Sequence, residues 1–177
     1  MPLRTVAYSS DLHLPARVYL DTNVLLYARD RDSARYRQAS SCLGELIRQG
    51  CQLHVSQLTF DELWWTLFRQ SYRLETGEEL TARTFRENRS VWQHSWPRIR
   101  SISEELLQWG RLSILEVSST VLVRETIRII DTNPLAPRDA FHLAIAVTNH
   151  VPGFVTADRD YEEVILPDAD DLVVVRV

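Results

Sequence analysis

Short apolar runs alternate with amphipathic stretches along the chain, which is the pattern of strands alternating with helices. The apolar runs have the length and the β-branched or leucine-rich composition of buried strands, and they cover 17–21, 52–56, 111–117, 153–157 and 172–177. Apolar residues at helical spacing fill the intervals, over about 22–30, 33–49, 58–74, 78–96, 97–109, 119–131 and 137–149. This alternation predicts a single three-layer α/β/α domain with a mostly parallel sheet of about five strands.

Two stretches stand outside the alternation. Residues 1–16 carry no periodic pattern and contain two prolines, which indicates an N-terminal extension ahead of a domain at 17–177. The helical stretch 57–110 is long for one crossover connection, so part of it is expected to pack as an extra helical cap or arm. Pro97 is expected to divide this stretch into separate helices, because proline removes a helical hydrogen bond.

The apolar positions of two predicted helices indicate which side faces the core. On helix 33–49 these positions are Ala39, Leu43, Leu46 and Ile47. On helix 119–131 the residues expected to face inward are Val121, Ile127 and Ile130. Cys42 fits the first of these stripes and Cys51 precedes a strand, so both are expected to be structural thiols without a disulfide.

The composition is that of a globular protein of one domain. The chain has 177 residues, of which 45% are hydrophobic and 25% are charged. No apolar run approaches the ~20 residues that a membrane span needs, and the first residues lack the apolar region of a signal peptide. These features predict a cytoplasmic protein that does not associate with membranes.

The basic residues exclude several classes of enzyme. All 20 of them are arginine, because the sequence contains no lysine. A Walker-A phosphate loop, a receiver domain and a Schiff-base enzyme all need a lysine. A phosphatase of the haloacid-dehalogenase type needs both a lysine and an Asp-x-Asp motif after the first strand, where this chain has Asp21-Thr22-Asn23.

Four acidic residues lie at predicted strand ends or near the start of predicted helices: Asp21, Glu62, Asp139 and Asp158. In a parallel sheet, the carboxyl ends of the strands and the N-termini of the crossover helices share one edge, where open α/β sheets bind ligands. Clustered carboxylates repel one another unless a cation neutralises them. The four acids therefore predict a site for divalent metal ions at this edge.

Each acid also has an ordinary structural explanation. Asp21 could cap the following helix, Asp139 could be a first-turn acid favoured by the helix dipole, and Asp158 could be a turn residue. Glu62 completes a capping-box spacing with Thr59. Four acids in the right order on one edge favour the metal site over four separate explanations.

The histidines give a weaker signal. His142 follows Asp139 by three residues and could reach the site or a substrate, but packing between helix and sheet is the favoured interpretation. His54 lies in a predicted strand and His94 lies in an aromatic-rich helix, so both are expected to be structural.

The acidic segments resemble the motifs of the PIN-domain family, and most closely those of VapC-type toxin ribonucleases. YLDTNVLLYA is similar to the family's opening strand with its D-T-N, and SQLTFDE is similar to its second acidic motif. RDAFHLAIA resembles the third motif and VTADRDY the closing one. The resemblance covers about 17–177, but the N-terminal extension and the long, tryptophan-rich stretch 72–110 depart from the most compact toxins.

The resemblance implies a hydrolase, an endoribonuclease that uses Mg²⁺ or Mn²⁺, with these acids as catalytic residues and metal ligands: Asp21, Glu62, Asp139 and Asp158. Asn23 and Thr156 match positions that form hydrogen bonds within the site, and Asp160 matches a more variable outer acid. RNA would be the substrate, a cognate antitoxin the protein partner, and the chain would form a homodimer. The alternative is a degenerate PIN module that binds RNA or protein without cutting.

Two further groups of residues are candidates for contacts with RNA or with a partner. Arginines cluster near the carboxyl edge and on one later helical face: Arg29, Arg31, Arg35 and Arg37, then Arg83, Arg86 and Arg89. All five tryptophans fall within 57–110, and an aromatic surface there would suit a dimer or an antitoxin segment. Solvated helix faces and ordinary packing of the cap explain the same residues equally well.

Overall fold

The computed structural model describes residues 3–116, 119–166, 169 and 171–177. The strands are β1 Arg4–Ala7, β2 Arg17–Leu20, β3 Gln52–Ser56, β4 Leu112–Leu115, β5 Gly153–Thr156 and β6 Val173–Arg176. The helices are α1 Thr22–Tyr27, α2 Tyr36–Arg48, α3 Gln57–Thr76, α4 Ala82–Glu87, α5 Arg89–Leu107, α6 Thr120–Thr132 and α7 Pro137–Thr148. The predicted order of strands and helices is confirmed from β2 onward.

The strands form one sheet in the order β1-β6-β5-β2-β3-β4, and all neighbouring strands run parallel. Alternate residues of β2 enter different cores. Val18 and Leu20 join a cluster with α1, α2 and α3, whereas Tyr19 joins a cluster with α6 and α7. Because side chains alternate across a strand, helices cover both faces, and the predicted three-layer α/β/α architecture is confirmed.

The contact between β2 and β5 is unusually close. Gly153 lies opposite Val18 in the parallel register. A Cβ atom at Gly153 would lie 2.7 Å from Cγ1 of Val18 and 3.1 Å from the carbonyl oxygen of Arg17. Only glycine fits there without displacing the neighbouring strand, so this residue sets the approach of the two strands that carry Asp21 and Thr156.

The sheet has six strands rather than about five, because the N-terminal segment contributes one. Arg4–Ala7 pairs in parallel with β6 at the edge of the sheet, although residues 1–16 were expected to be an extension without regular structure. Leu3 and Leu14 on either side of it are buried. A strand of four residues is too short to display an alternating pattern, and its pairing depends on β6 at the far end of the sequence.

Helices α3, α4 and α5 form the helical cap that the length of the 57–110 stretch predicts. Buried side chains of α3, α5 and the segment between α3 and α4 make a third apolar cluster: Phe68, Tyr72, Leu80, Val91 and Ile99. The predicted break at Pro97 is wrong, since α5 runs through it. Buried residues continue on one stripe before and after Pro97, from Val91 to Leu106, and this packing holds the helix together where proline removes a hydrogen bond.

The predicted inward face of α6 is also wrong. Leu122, Thr126 and Ile129 are the buried residues of this helix. The three residues that were expected inside are exposed by 64%, 53% and 39%, for Val121, Ile127 and Ile130 respectively. Because α6 is apolar on more than one side, its periodicity alone does not select the face that packs against α7.

Of the remaining predictions of burial, the one for Ile47 is wrong. Ala39, Leu43 and Leu46 of α2 are buried as predicted, but Ile47 is half exposed and Cys42 takes its place in the core. Cys42 and Cys51 are both buried free thiols, as expected. Within the residues that the structure describes, no helix is long and apolar enough to cross a membrane.

Candidate metal centre

The fold places all four predicted acids at the carboxyl edge of the sheet. Asp21 directly follows β2, and Asp158 follows β5 by two residues. Glu62 lies in the second turn of α3, which begins directly after β3, and Asp139 lies in the first turn of α7. The side chains form two groups whose oxygen or nitrogen atoms lie within 4.8 Å of one another: Asp21, Glu62 and His142, then Asp139, Asp158 and Asp160.

Asp21 is buried and held by two donors from neighbouring segments. The hydroxyl of Thr156 and the amide Nδ2 of Asn23 both donate to its Oδ2, each at 2.7 Å. Asn23 is fixed in turn, because its Oδ1 accepts the backbone N–H of Ala157 at 2.9 Å. The carboxylate of Asp21 does not cap α1 through its side chain, so the ordinary explanation for this residue fails.

Burial makes the charged form of Asp21 costly. Desolvation raises the pKa of Asp21, and the charge of Glu62 adds to this effect, while His142 and the hydrogen bond from Thr156 oppose it. A buried carboxylate that stays ionised needs a compensating cation. A divalent ion at Asp21 would supply that compensation.

Glu62 is fixed by contacts that have no role in capping α3. Its Oε2 accepts the hydroxyl of Thr22 at 2.7 Å and lies 2.8 Å from Nε2 of His142. The capping box of α3 is formed by Ser56 and Thr59 instead, so Glu62 is not a capping residue. Burial raises the pKa of Glu62, but the hydrogen bond and charge of His142, with Thr22, outweigh it and lower the pKa overall.

His142 both packs between helix and sheet, as favoured from the sequence, and contacts the site. It is fully buried, and Nδ1 lies 2.7 Å from the hydroxyl of Tyr19. Since Glu62 is ionised and can only accept, Nε2 of His142 carries the proton and donates. His142 therefore orients Glu62, as an outer hydrogen-bond partner of a ligand does. Its spacing of three residues from Asp139 was the only sequence signal for this role.

Tyr19 extends the contacts of His142 into the core. Its hydroxyl lies 2.7 Å from Oγ of Ser56, and its ring stacks on Phe154 with centroids 5.6 Å apart. Burial raises the pKa of Tyr19, so the hydroxyl stays protonated and can donate to Nδ1 of His142. Nothing in the sequence pattern of β2 distinguished Tyr19 from an ordinary core residue.

The second group, Asp139, Asp158 and Asp160, is more open. Asp139 and Asp158 are partly exposed and Asp160 is exposed. Backbone N–H groups order the loop after β5: that of Asp160 donates to Oδ1 of Asp158, and that of Asp158 donates to the hydroxyl of Thr156, both at 3.0 Å. Among the described residues, no side chain donates a hydrogen bond to the carboxylate of Asp139.

The two groups interact electrostatically. Desolvation raises the pKa of Asp139 to about 6, and the negative charges of Asp21, Asp158 and Glu62 contribute to the increase. The charges of one group therefore raise the pKa of an acid in the other group. Carboxylate oxygens at this density are the ligands that Mg²⁺ and Mn²⁺ prefer, so the residues present fit such an ion. Asp21, Glu62, Asp139 and Asp158 are the candidate ligands.

One cationic side chain lies next to a candidate ligand. Arg138 lies 3.9 Å from Oε1 of Glu62 and 3.5 Å from the exposed carboxylate of Asp61. Two of the arginines that were singled out from the sequence are instead in surface ion pairs, Arg29 with Glu105 and Arg83 with Glu87. Surface pairs of this kind contribute little to stability, and they occupy arginines that RNA could otherwise contact.

The tryptophans mostly pack within the cap. Trp64 donates its indole N–H to Oγ of Ser103 at 2.8 Å and meets Trp96 edge to face. Trp65 packs against Phe85. Trp92 is 49% exposed. Ordinary packing therefore explains most of this aromatic content, and a role in partner binding stays a prediction.

The family model that describes the PIN domain matches residues 18–165. Among curated proteins, none has a sequence that matches this chain significantly. Solved structures that are similar in fold over most of their length include the following three. VapC20 of Mycobacterium tuberculosis, a sarcin–ricin loop cleaving toxin, has 12% identity and a TM-score of 0.54, covering 81% of this chain and 92% of its own.

Two further similar structures come from other bacteria. VapBC2 of Rickettsia felis, bound to a DNA fragment of its promoter, shows 15% identity and a TM-score of 0.56, with 89% of this chain and 96% of that chain covered. FitAcB of Neisseria gonorrhoeae shows 16% identity and a TM-score of 0.53, with 90% and 96% covered. At these identities the likeness concerns the fold. The match of the family model over most of the sequence, with the sheet and acidic edge described above, shows that this chain belongs to the PIN domain family.

Proposed function

We propose that this protein is a metal-dependent endoribonuclease and the toxin of a type II toxin–antitoxin pair. The observation that supports this most is the pair of acidic groups at one edge of the sheet, where desolvation and, after it, the neighbouring negative charges raise the pKa of Asp139 to about 6. Membership of the PIN family and a likeness in fold to VapC20, a toxin that cleaves the sarcin–ricin loop, are consistent with it.

In this proposal the acids hold Mg²⁺, or Mn²⁺, and the residues around them keep the ligands in place. Bound metal would polarise the phosphate and lower the pKa of the attacking water. Among the neighbouring charges, that of Asp21 raises the pKa of Asp139 the most, and Thr156 and Asn23 fix the Oδ2 atom of Asp21. Glu62 completes the buried side, held by Thr22 and His142.

Asp139 and Asp158 would complete the open side of the centre, with Asp160 as an outer acid. Their partial exposure leaves room for RNA and for the water that attacks the phosphate. Asp139 lies in the first turn of α7, and Asp158 lies in a loop whose backbone N–H groups donate to the side chains of Thr156 and Asp158. Such a loop can adjust its oxygens when a phosphate enters, while the buried side stays fixed.

The test compares RNA cleavage by the purified, partner-free protein with Mg²⁺ or Mn²⁺ and with EDTA. Asp21→Asn removes the buried carboxylate, and Asp61→Asn is the matched control, since Asp61 is an exposed acid of α3 outside both groups. Cleavage that needs metal, survives in Asp61→Asn and is lost in Asp21→Asn supports the proposal. Equal inertness of all three proteins on structured and single-stranded RNA would favour a degenerate module that binds without cutting.

An antitoxin partner and a homodimer belong to the same proposal. The antitoxin is proposed because the acidic motifs resemble those of VapC-type toxins, and the structures similar in fold include VapBC2 and FitAcB. The apolar side of α6 that does not face the core would suit association, with Val123 at 48% and Ile127 at 53% exposure. Light scattering of the purified protein measures the dimer, and Ile127→Glu should dissociate it if this side of α6 is the contact.

A further inference from the structure

An open depression lies directly beside the acidic edge. Its volume is about 380 Å³, which lies within the range of small-molecule sites, roughly 300–1,000 Å³. Asn23 and Asp158 belong both to its lining and to the metal centre. The rest of the lining is Tyr27, Arg35, Ala157 and Arg159. A strand of RNA whose phosphate reached the acids would therefore have its neighbouring nucleotide at this depression.

Arg35 is held in place at the depression by contacts that leave donors free. Its Nη1 donates to the main-chain oxygens of Ala157 and Val177, the latter at 3.1 Å. Its guanidinium carbon lies 5.7 Å from the centroid of the Tyr27 ring, in a cation–π contact. Within the described residues, Nε and Nη2 have no acceptor, and no Asp or Glu side chain pairs with Arg35. These donors are available to an anion.

Arg159 provides a second cation of a different kind. It follows the candidate ligand Asp158 in sequence, lines the depression and is exposed. In the part of the chain that the structure describes, its side chain forms no ion pair or hydrogen bond. Arg29 and Arg83, by contrast, are already paired with glutamates. A fixed guanidinium and an exposed, unpaired one thus line one small volume beside the metal centre.

We propose that this depression is a subsite for an RNA phosphate next to the one that is cut, with Arg35 and Arg159 as its ligands. The proposal rests on the proposed ribonuclease function. Acids at the metal centre repel a polyanion, so strand binding needs cations at positions where the next phosphate lies. Arg35 is preorganised by Tyr27 and two carbonyls, which lowers the entropy lost when it binds a phosphate.

The first experiment measures binding of a labelled, mixed-sequence, single-stranded oligoribonucleotide by fluorescence anisotropy with Mg²⁺. The Asp21→Asn protein is the background, so that the probe is not cut. Arg159→Glu should weaken binding by about tenfold and lower the slope of log K against log salt by about 0.7 for the lost phosphate contact. Arg124→Glu is the matched control, because it makes the same charge change at an exposed residue of α6 outside the depression.

A second pair of variants separates binding from folding at Arg35. In the Asp21→Asn background, Arg35→Gln should weaken RNA binding by a similar factor. In the protein that keeps Asp21, Arg35→Gln should leave the affinity of the centre for Mn²⁺, measured by electron paramagnetic resonance, unchanged. Thermal melts show how much the lost contacts to Ala157 and Val177 destabilise the fold. Tyr27→Leu removes the ring beneath Arg35 but leaves its charge, and it should weaken RNA binding less than Arg35→Gln does.

The outcomes separate the subsite from the nuclease. If Arg159→Glu and Arg35→Gln bind RNA as well as Arg124→Glu does, the subsite is wrong, whether or not the protein cuts RNA. If no RNA binds at any salt concentration, the subsite is also wrong. If RNA binding depends on Arg159 but the wild-type protein cuts nothing, the subsite stands and the proposed nuclease function fails.

Discussion

The two halves of the acidic edge are built differently. On the buried side, Asp21 and Glu62 receive hydrogen bonds from side chains on three other segments, through Thr156, Thr22 and His142. On the open side, Asp139 and Asp158 are partly exposed, and backbone N–H groups order the loop of Asp158. The same residue type is thus held rigidly in one half and loosely in the other.

The difference indicates that the two sides of the centre have different roles. A preorganised ligand costs little reorganisation when a metal binds, and it fixes where the ion lies. A loosely held carboxylate can move with a substrate phosphate and a second ion. We therefore expect changes on the buried side to affect metal affinity and protein stability together, and changes on the open side to affect mainly catalysis and its pH dependence.

The largest effect is expected from Asp21→Asn on the buried side. Loss of the central ligand removes several kcal/mol of transition-state stabilisation, about a thousandfold or more in cleavage rate. The metal-free variant should melt at a higher temperature than wild type, because burial and Glu62 raise the pKa of Asp21 and make its ionised form unfavourable at neutral pH. Calorimetry in EDTA measures this; a lower melting temperature would show that Asp21 stabilises the fold.

His142→Leu should give the next largest effect. Glu62 would lose the donor at 2.8 Å, and Tyr19 would lose its partner at 2.7 Å. Loss of a residue that hydrogen-bonds to a metal ligand typically lowers metal affinity by roughly 10–100-fold. Titration with Mn²⁺ by calorimetry measures this loss.

His54→Leu is the matched control for His142→Leu, since His54 is also buried but bonds to Ser113 away from the acids. Both substitutions should lower the melting temperature. Only His142→Leu should weaken Mn²⁺ binding. Equal Mn²⁺ affinities in the two variants would show that His142 is a packing residue alone.

A smaller effect is expected from pH on the open side. With a pKa of about 6, Asp139 is protonated in the metal-free protein at mildly acidic pH. Mn²⁺ affinity should therefore fall as the pH drops through 6, since the ion must displace that proton. Asp139→Asn should bind more weakly and lose this dependence near pH 6, and calorimetry at several pH values measures both.

The stability of the metal-free protein should change with pH in the direction opposite to the change in Mn²⁺ affinity. Asp139 has a folded-state pKa of about 6 against a reference of 3.8, so its contribution to folding is fully present below about pH 4. It is lost as the pH rises through 6. Melting temperatures in EDTA should reflect this loss in wild type and not in Asp139→Asn; identical profiles would contradict the raised pKa.

The smallest effect is expected from Asp160→Asn. Asp160 is exposed, and its contact with Asp158 uses the backbone N–H rather than its carboxylate. Exposed charges contribute at most about 1 kcal/mol, so cleavage should slow by about fivefold or less. Cleavage rates for this variant and Asp158→Asn under one condition make the comparison, and a loss as large as that in Asp158→Asn would place Asp160 among the direct ligands.

The positions of the acids in the fold could be predicted from the sequence because they follow from local signals. A strand that ends in Asp21 and a helix that begins at Pro137 fix where Asp21 and Asp139 lie, once the sheet is parallel. Glu62 follows from the start of α3 directly after β3. Each signal lies within a few residues of the side chain that it places.

The features that the sequence did not reveal depend on contacts between distant segments. Pairing of β1 with β6 and the choice of face on α6 are set by tertiary packing. The same holds for His142, since its contacts with Tyr19 and Glu62 join three elements. A periodic pattern shows that a residue is buried, but it does not show which polar group the residue meets.

The hydrogen bond between Thr156 and Asp21 joins residues that are 135 positions apart. Parallel strands β2 and β5 must therefore pair across nearly the whole sequence, and such long-range pairing forms slowly. During synthesis, Asp21 leaves the ribosome long before the segment that fixes it exists. Whatever chemistry the centre performs, a growing chain cannot complete the centre until the segment that carries Thr156 has been made.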